Sequence, residues 1–309
     1  MRKIYAIGET VLDIIFKNNQ PQAAKAGGSM LNSVVSLGRI GLPVSFISEY
    51  GKDDVGQMID LFLTENGVNT DHVHKFEDGN TVLALAFLNE KNDANYSFYK
   101  NYPKKRLDIS FPEVTGEDIV LCGSFYSIWS EVRPKFLEFI HNARNSGSLI
   151  IYDPNFRKSH LFELERLKPL IIENMKLASI VRGSNEDFEH IFGSKSIEEA
   201  YLNVSPLCPN LIYTANTEGV HVKTLNHQYK FPVKKIQPIS TIGAGDNFNA
   251  GTIAALYRSG FTASQLANLN ETQWNKIISN SVDFASDVCM SLENYISQDF
   301  ANNYAAFQQ

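Results

Sequence analysis

The residues of this chain best suited to chemistry lie between Ser240 and Gly251, in the order Ser-Thr-Ile-Gly-Ala-Gly-Asp-Asn-Phe-Asn-Ala-Gly. Gly243 and Gly245 flank one small residue, Ala244, and glycine reaches backbone angles that let successive N–H groups converge on a point, a nest for an anion. The apolar run behind them, Phe248 and Ile253 to Leu256, stops near Gly260 and predicts a buried helix. The nest then sits at a helix N-terminus, where unpaired N–H groups and the helix dipole both favour negative charge. Asp246 falls in the first turn of that helix. A carboxylate there can take the proton of an attacking hydroxyl while the nest holds the phosphoryl group under attack. Taken alone, the same residues also read as an ordinary glycine turn followed by an acidic cap, so the rest of the chain must decide.

A second set lies near the N-terminus. Ile4 to Ile7 reads as a central strand ending at Gly8, and Glu9 and Asp13 follow at its C-terminal end, the end at which open parallel sheets bind ligands. Asp13 can accept hydrogen bonds from two sugar hydroxyls, or it can be a solvated loop acid. Gly27-Gly28-Ser29-Met30-Leu31-Asn32 then opens another buried helix that runs through Val34, Val35, Leu37 and Ile40 to Gly41. Adjacent glycines let a ligand approach the backbone, and Asn32, one turn in, can both donate and accept.

These residues need a scaffold, and composition permits one. The 309 residues are 43% hydrophobic, enough for one large α/β domain with a full core. With 28 basic against 34 acidic residues the net charge is -6, which argues against nucleic acid or an anionic membrane as the main partner. Cys122, Cys208 and Cys289 are far apart and odd in number, as expected of reduced thiols, so neither a disulfide nor a zinc framework follows. The N-terminus reaches a glycine and an acid too early for a signal peptide, and no apolar run approaches membrane-spanning length. A soluble, cytoplasmic protein is expected.

Strands and helices alternate over most of the length. Val44 to Ser48 is a strand, a helix runs from Asp53 or Asp54 to Gly67, and Ile119 to Gly123 is a further strand. A helix with Pro134 in its first turn leads to the strand Leu149 to Asp153, and strands at Ser179 to Arg182 and Leu211 to Thr214 follow. Helices are expected at about 161–176, 185–192 and 273–290, and β-runs at Val220 to Lys223 and Gln228 to Val233. This rhythm predicts a mainly parallel sheet covered by helices on both faces. Between Val73 and Asp108 the texture changes to a β-hairpin, Leu83 to Leu88 and Tyr96 to Tyr99 about a polar turn at Asn89 to Asn95. Without helical cover it must face something else, so segments 14–26 and 73–108 are expected to form a small β-lid over a ligand, inserted into one domain spanning 1–309. The alternative is that its exposed face pairs with a second subunit.

With Gly27-Gly28 running to Gly41 near the start and Gly243-Ala-Gly-Asp246 near the end, the chain resembles the ribokinase-like, or PfkB, family of carbohydrate kinases over nearly its whole length. The resemblance implies an α/β core with a β-lid, binding of ATP and a sugar at the strand ends, and transfer of the γ-phosphoryl group to a sugar hydroxyl with Mg2+. It implies that Asp246 is the base, that Gly243, Ala244 and Gly245 form the anion hole, and that Asp13, Gly27, Gly28 and Asn32 contact sugar. On the nucleotide side, Thr214-Ala-Asn216-Thr-Glu-Gly219 resembles the family's Thr-x-Gly-x-x-Gly segment with Asn216 for the first glycine, and Asn280 matches a position near the base. Ser184-Asn185-Glu186-Asp187 resembles the acidic region associated with Mg2+ and phosphate, Glu186 or Asp187 acting on the metal indirectly. Ser240 stands where the family often has an aspartate for a monovalent cation.

Asp153-Pro-Asn-Phe-Arg157 resembles a segment of bacterial fructokinases, and Thr81 to Lys100 their lid, which makes fructose the favoured sugar. Arg157 offers a bidentate grip and Lys100 a point charge. Ribokinase and ketodeoxygluconate kinase activities share these features, and a sugar-binding protein that has lost catalysis is the reading from another class. A homodimer through the lid would be in keeping with the family. His72 and His74 form a His-x-His pair that could ligate metal, but a polar loop explains them as well.

Overall fold

The computed structural model describes residues 1–90 and 94–306. In chain order, β1 (Ile4–Ile7), β2 (Val11–Lys17), β3 (Gln20–Gly27) and α1 (Ser29–Arg39) lead to β4 (Val44–Gly51) and α2 (Asp54–Glu65). Then come β5 (Val68–Asn69), β6 (Val73–Phe76), β7 (Asn80–Leu88), β8 (Ala94–Asn101) and β9 (Ile119–Gly123). Helix α3 (Arg133–Asn145), β10 (Leu149–Asp153), α4 (Leu164–Leu177), β11 (Ile180–Ser184), α5 (Asn185–Phe192) and α6 (Ile197–Val204) follow. The last part comprises β12 (Leu211–Thr214), β13 (Val220–Lys223), β14 (Gln228–Phe231), α7 (Ala244–Ser259), α8 (Glu271–Cys289) and α9 (Gln298–Ala306).

The central sheet has the order β14-β13-β12-β11-β10-β9-β1-β4-β5, with β6 also on β4, and every pair is parallel except β12–β13 and β13–β14. Strands β1, β9 and β10 are buried throughout, which is why they read as continuous apolar runs: both faces are covered. Alternate residues of β1 go to opposite cores, Ile4 and Ala6 among residues of α1, α7 and α8, Tyr5 and Ile7 among those of α3 and α4.

A separate four-stranded sheet, β3-β2-β7-β8, forms the small β-layer. It is narrower than the sequence predicts. Val73–Phe76 pairs with β4 in the central sheet, and beyond β8 the chain returns to the core, where Leu107 is fully buried. The expected hairpin is present as β7 and β8 in antiparallel register, whereas residues 91–93 of its turn lie outside the described residues. Strand β3 is added at the sheet's edge; its alternation of Gln, Ala and Lys carries little apolar signal. The exit from the layer is fixed by Glu49 of β4, which accepts from Arg106 Nε at 2.8 Å and from the Leu107 N–H at 2.8 Å. Burial opposes the charge on Glu49, yet hydrogen bonds from Arg106 and Leu107 hold its carboxyl below the ordinary value. His74 Nδ1 lies 3.9 Å from this carboxylate and accepts from the Asp108 N–H at 3.3 Å; among the described residues no group of three or more His, Cys, Asp or Glu is placed to hold a metal.

Candidate active site

Helix α7 begins without a side-chain cap among the described residues. Gly243 stands before it at φ 77, a left-handed angle that favours glycine, and a Cβ there would lie 2.7 Å from the Asn294 carbonyl oxygen. The Asn247 amide ties the two together, donating to the carbonyls of Gly243 and Asn294 at 2.8 Å each. Gly243, Ala244 and Gly245, the expected nest, thus stand at a helix start with no side-chain cap among the described residues, the Ala244 N–H donating to the Thr241 carbonyl at 3.3 Å.

Asp246, the next residue, is 8% exposed and gripped from α1: Ser29 Oγ donates to Oδ1 at 2.6 Å and Asn32 Nδ2 to Oδ2 at 2.8 Å. Burial pushes its carboxyl above the ordinary range, the two hydrogen bonds work against that, and the charge of Asp153 adds to it. Asn32 turns its donor to Asp246 and leaves Oδ1 buried without a partner among the described residues. A hydroxyl of a bound molecule carries one proton, which it would donate either to this buried acceptor or to the carboxylate beside it.

Asp13, Gly27 and Gly28 lie along the same edge. A Cβ at Gly27 would come within 2.1 Å of Asp13 Oδ2, and one at Gly28 within 2.3 Å of the Glu9 carbonyl, so both glycines make room. Gly28, at φ 134, is also the residue that starts α1. Burial, then the charge of Glu9, pushes Asp13 up to about 7. Tyr96 feels the charges of both Asp13 and Arg157, and Lys100 lies 4.6 Å from the centre of the Trp129 ring. Arg157 is exposed.

Beyond Asp246 the site is polar and buried. Asp153, 1% exposed at the end of β10, accepts from Arg182 Nη1 at 2.8 Å, Asn249 Nδ2 at 2.6 Å and the Asn155 N–H at 3.0 Å. Arg182 also donates through Nη2 to Thr214 Oγ1 at 3.1 Å. Asn216 takes φ 45, the left-handed angle that its side chain tolerates, and Gly219 takes φ 112, so the turn after β12 forms with Asn in the glycine's place. Asp187 is a capping residue: Oδ2 accepts from the Ser184 N–H and hydroxyl at 2.7 and 2.6 Å, and Oδ1 from the Phe156 N–H at 2.6 Å. Burial, then the Asp153 charge, raises its carboxyl. Glu186 is exposed, and Asn185 Oδ1 is buried without a partner among the described residues. Asn280 gives its amide to the Gly251 carbonyl at 2.6 Å, a contact within the α7–α8 packing rather than with the cluster around Asp246.

The model of the pfkB family of carbohydrate kinases matches residues 1–290. The chain belongs to that family. This PfkB kinase is 26% identical over 259 residues to fructokinase-1 of Oryza sativa subsp. japonica, an alignment covering 79% of this chain and 80% of that one. It is 25% identical over 264 residues to aminoimidazole riboside kinase of Salmonella typhimurium, covering 84% and 82%. The fructokinase of Vibrio cholerae O395, solved in a fructose-, ADP- and calcium-bound form, superposes with a TM-score of 0.83 at 21% identity, over 99% of each chain, and shares the fold. The PfkB kinase is therefore a sugar phosphotransferase with a ribokinase-like fold.

Reasoning from sequence passed over Ser29, Asn249 and Arg182 of this PfkB kinase. Ser29 follows the glycine pair directly and begins the helix, which is signal enough for a side chain aimed at the site. Arg182 ends an otherwise apolar run, Ile180-Val181, and a charge at the C-terminal end of a buried strand is itself a marker of a ligand site.

Proposed function

We propose that this chain transfers the γ-phosphoryl group of MgATP to a hydroxyl of a small sugar, fructose being the favoured acceptor. The observation that carries the reading is the placement of Asp246: a buried carboxylate at the mouth of an uncapped helix start, with the partnerless Asn32 oxygen beside it. Asp246 would orient the attacking hydroxyl and accept its proton, while the amides of Gly243 and Gly245, joined by that of Ala244 once it leaves the Thr241 carbonyl 3.3 Å away, meet the charge on the transferring group. Asp13, Asn32, Lys100 and Arg157 would hold the sugar, with Gly27 and Gly28 leaving it room. Thr214, Asn216, Gly219, Asn185 and Asn280 would line the nucleotide side.

The donor set fits magnesium that arrives with the nucleotide. Asp187 has its oxygens committed to backbone and hydroxyl donors, and Glu186 offers one exposed carboxylate, so the ion would rest chiefly on phosphate oxygens and water. When bound it neutralises charge on the phosphates. Ser240 Oγ accepts from the Ile242 N–H at 3.2 Å in place of an acid's role with a monovalent cation.

The aromatic pair Tyr96 and Phe98, stacked at 5.8 Å on the lid face that carries Asp13, favours a second reading, a riboside with a ring substituent. We further propose a cytoplasmic location, in keeping with three buried free cysteines, and a lid that closes over the sugar. No helix among the described residues is long and apolar enough to cross a membrane.

The test is ADP release over a panel of fructose, ribose, ketodeoxygluconate and aminoimidazole riboside, with and without potassium, beside the variant Asp246→Asn. Turnover with fructose is expected, and the variant should bind sugar yet lose about 100- to 10,000-fold in kcat. Sugar binding by wild type with no ADP released would leave a binding protein instead.

A further inference from the structure

Arg182 is 7% exposed, and its guanidinium lies against the first turn of α7: a Cβ on Gly245 would sit 2.9 Å from Nη1 and 3.4 Å from Nη2. Gly245 is thus bare on the side that Arg182 occupies. The side chain is held from three directions, by Asp153 through Nη1, by Thr214 through Nη2, and by the Phe248 ring, whose centre is 5.2 Å from the guanidinium carbon. Nε remains buried without a partner among the described residues.

Satisfying Asp153 is not reason enough for this arginine. Its carboxylate already accepts from the Asn249 amide at 2.6 Å on the same oxygen as Arg182, and from the Asn155 N–H at 3.0 Å on the other. The dependence runs the other way, with Asp153 and Thr214 fixing where the guanidinium points. A fork with donors to spare, fixed beside an anion cradle, suits a phosphoryl group, for which planar multidentate donors are the natural partner.

We propose that Arg182 binds the γ-phosphoryl group of the nucleotide at the cradle and stabilises it during transfer, Asp153 and Asn249 acting as positioning residues for it. The inference rests on the kinase reading above. In the step it serves, the bond between the acceptor oxygen and Pγ forms and the bond from Pγ to the β,γ-bridging oxygen breaks. The electron pair leaves with ADP, and the hydroxyl proton passes to an Asp246 carboxylate oxygen. Arg182 neither gains nor loses a proton; it spreads the charge that develops on the phosphoryl oxygens.

The experiment compares wild type, Arg182→Gln and Arg182→Lys in steady-state turnover, and in calorimetric binding of ADP and of a non-hydrolysable ATP analogue. Loss of one such donor should lower kcat of Arg182→Gln by about 100-fold or more. The sugar KM and ADP affinity should stay close to wild type, while the preference for the triphosphate analogue over ADP is lost and Arg182→Lys recovers part of both. Undiminished kcat in Arg182→Gln overturns the assignment, as does a loss of ADP affinity that matches the loss of kcat in both variants. If Arg182→Gln does not fold, the double variant Asp153→Asn/Arg182→Gln removes both charges of the pair, and wild-type turnover in it overturns the assignment equally. Wild-type protein that releases no ADP with any sugar overturns the kinase reading and this one together, whereas normal wild-type turnover with an unaffected Arg182→Gln overturns this one alone.

Discussion

Asp13 shows how a single residue can be held against its own preference. Its carboxyl, ordinarily at 3.8, is pushed up to about 7 by burial and by Glu9, so the folded state holds that proton more tightly than the unfolded chain does. The stability it contributes is present below the ordinary value and is lost as pH rises through about 7. The shift corresponds to at most about 4 kcal/mol. Asp13→Asn should accordingly raise the melting temperature at about pH 8, lose that advantage near about pH 4, and bind sugar poorly at both. An equal or lower melting temperature for the variant at about pH 8 would contradict this. The raised carboxyl of Asp246 carries a matching expectation for catalysis, an acid limb of the kcat profile displaced from the usual carboxylate range toward neutrality. At this scale, sequence conveyed residue types but not their partners. Gly243-Ala-Gly-Asp246 pointed to a helix start with a carboxylate in its first turn, whereas the grip of Ser29 and Asn32 on that carboxylate, across 217 and 214 positions, depends on how α1 meets α7. Asp187 was legible as an acid near the site, and its use as a capping box with Ser184 follows only once the start of α5 is placed.

Among the elements, α7 and α8 have a contact that leaves no slack. A Cβ on Gly251 would fall 2.6 Å from Ser281 Cα and 2.8 Å from the Asn280 carbonyl oxygen, both backbone, so the helices would have to separate. Gly251→Ala should lower the unfolding free energy by about 1–3 kcal/mol, read from the shift in denaturant midpoint; an unchanged midpoint would mean that the helices part freely. Long, strongly patterned elements were readable because burial on both faces leaves continuous apolar runs, as in β1 and β10, or because caps punctuate them, as in α5. The short strands β5 and β6 and the helices α6 and α9 escaped notice. They are brief or polar and owe their form to neighbours: β5 spans two residues on β4, and α9 adds Phe300 and Tyr304 to Phe284 of α8.

For the whole molecule, the lid face opposite Asp13 carries Ile14, Phe16, Leu83, Leu85, Phe87 and Tyr99, with Phe16 and Phe87 stacked at 5.0 Å. Phe87 is 38% and Tyr99 61% exposed, an apolar sheet face of the kind a second copy would cover. Sedimentation should find a dimer of wild type and a monomer of Phe87→Asp/Tyr99→Asp, and a monomeric wild type would dismiss the interface. The layered architecture was legible from the alternation of strand and helix, while the extent of the lid was not, since the segment around Val73 looks no different from a lid strand until it is seen on β4.

The carbonyl of Asn294, set against Gly243 and shared with Asn247, gives the last stretch of the chain a hold on the nest that no residue in that stretch advertises. A protease cut just after Met290, or a ribosome halted there, would leave every group assigned to the reaction in the polypeptide and yet remove the buttress beneath it. Such a cut should therefore lower turnover while removing none of those groups.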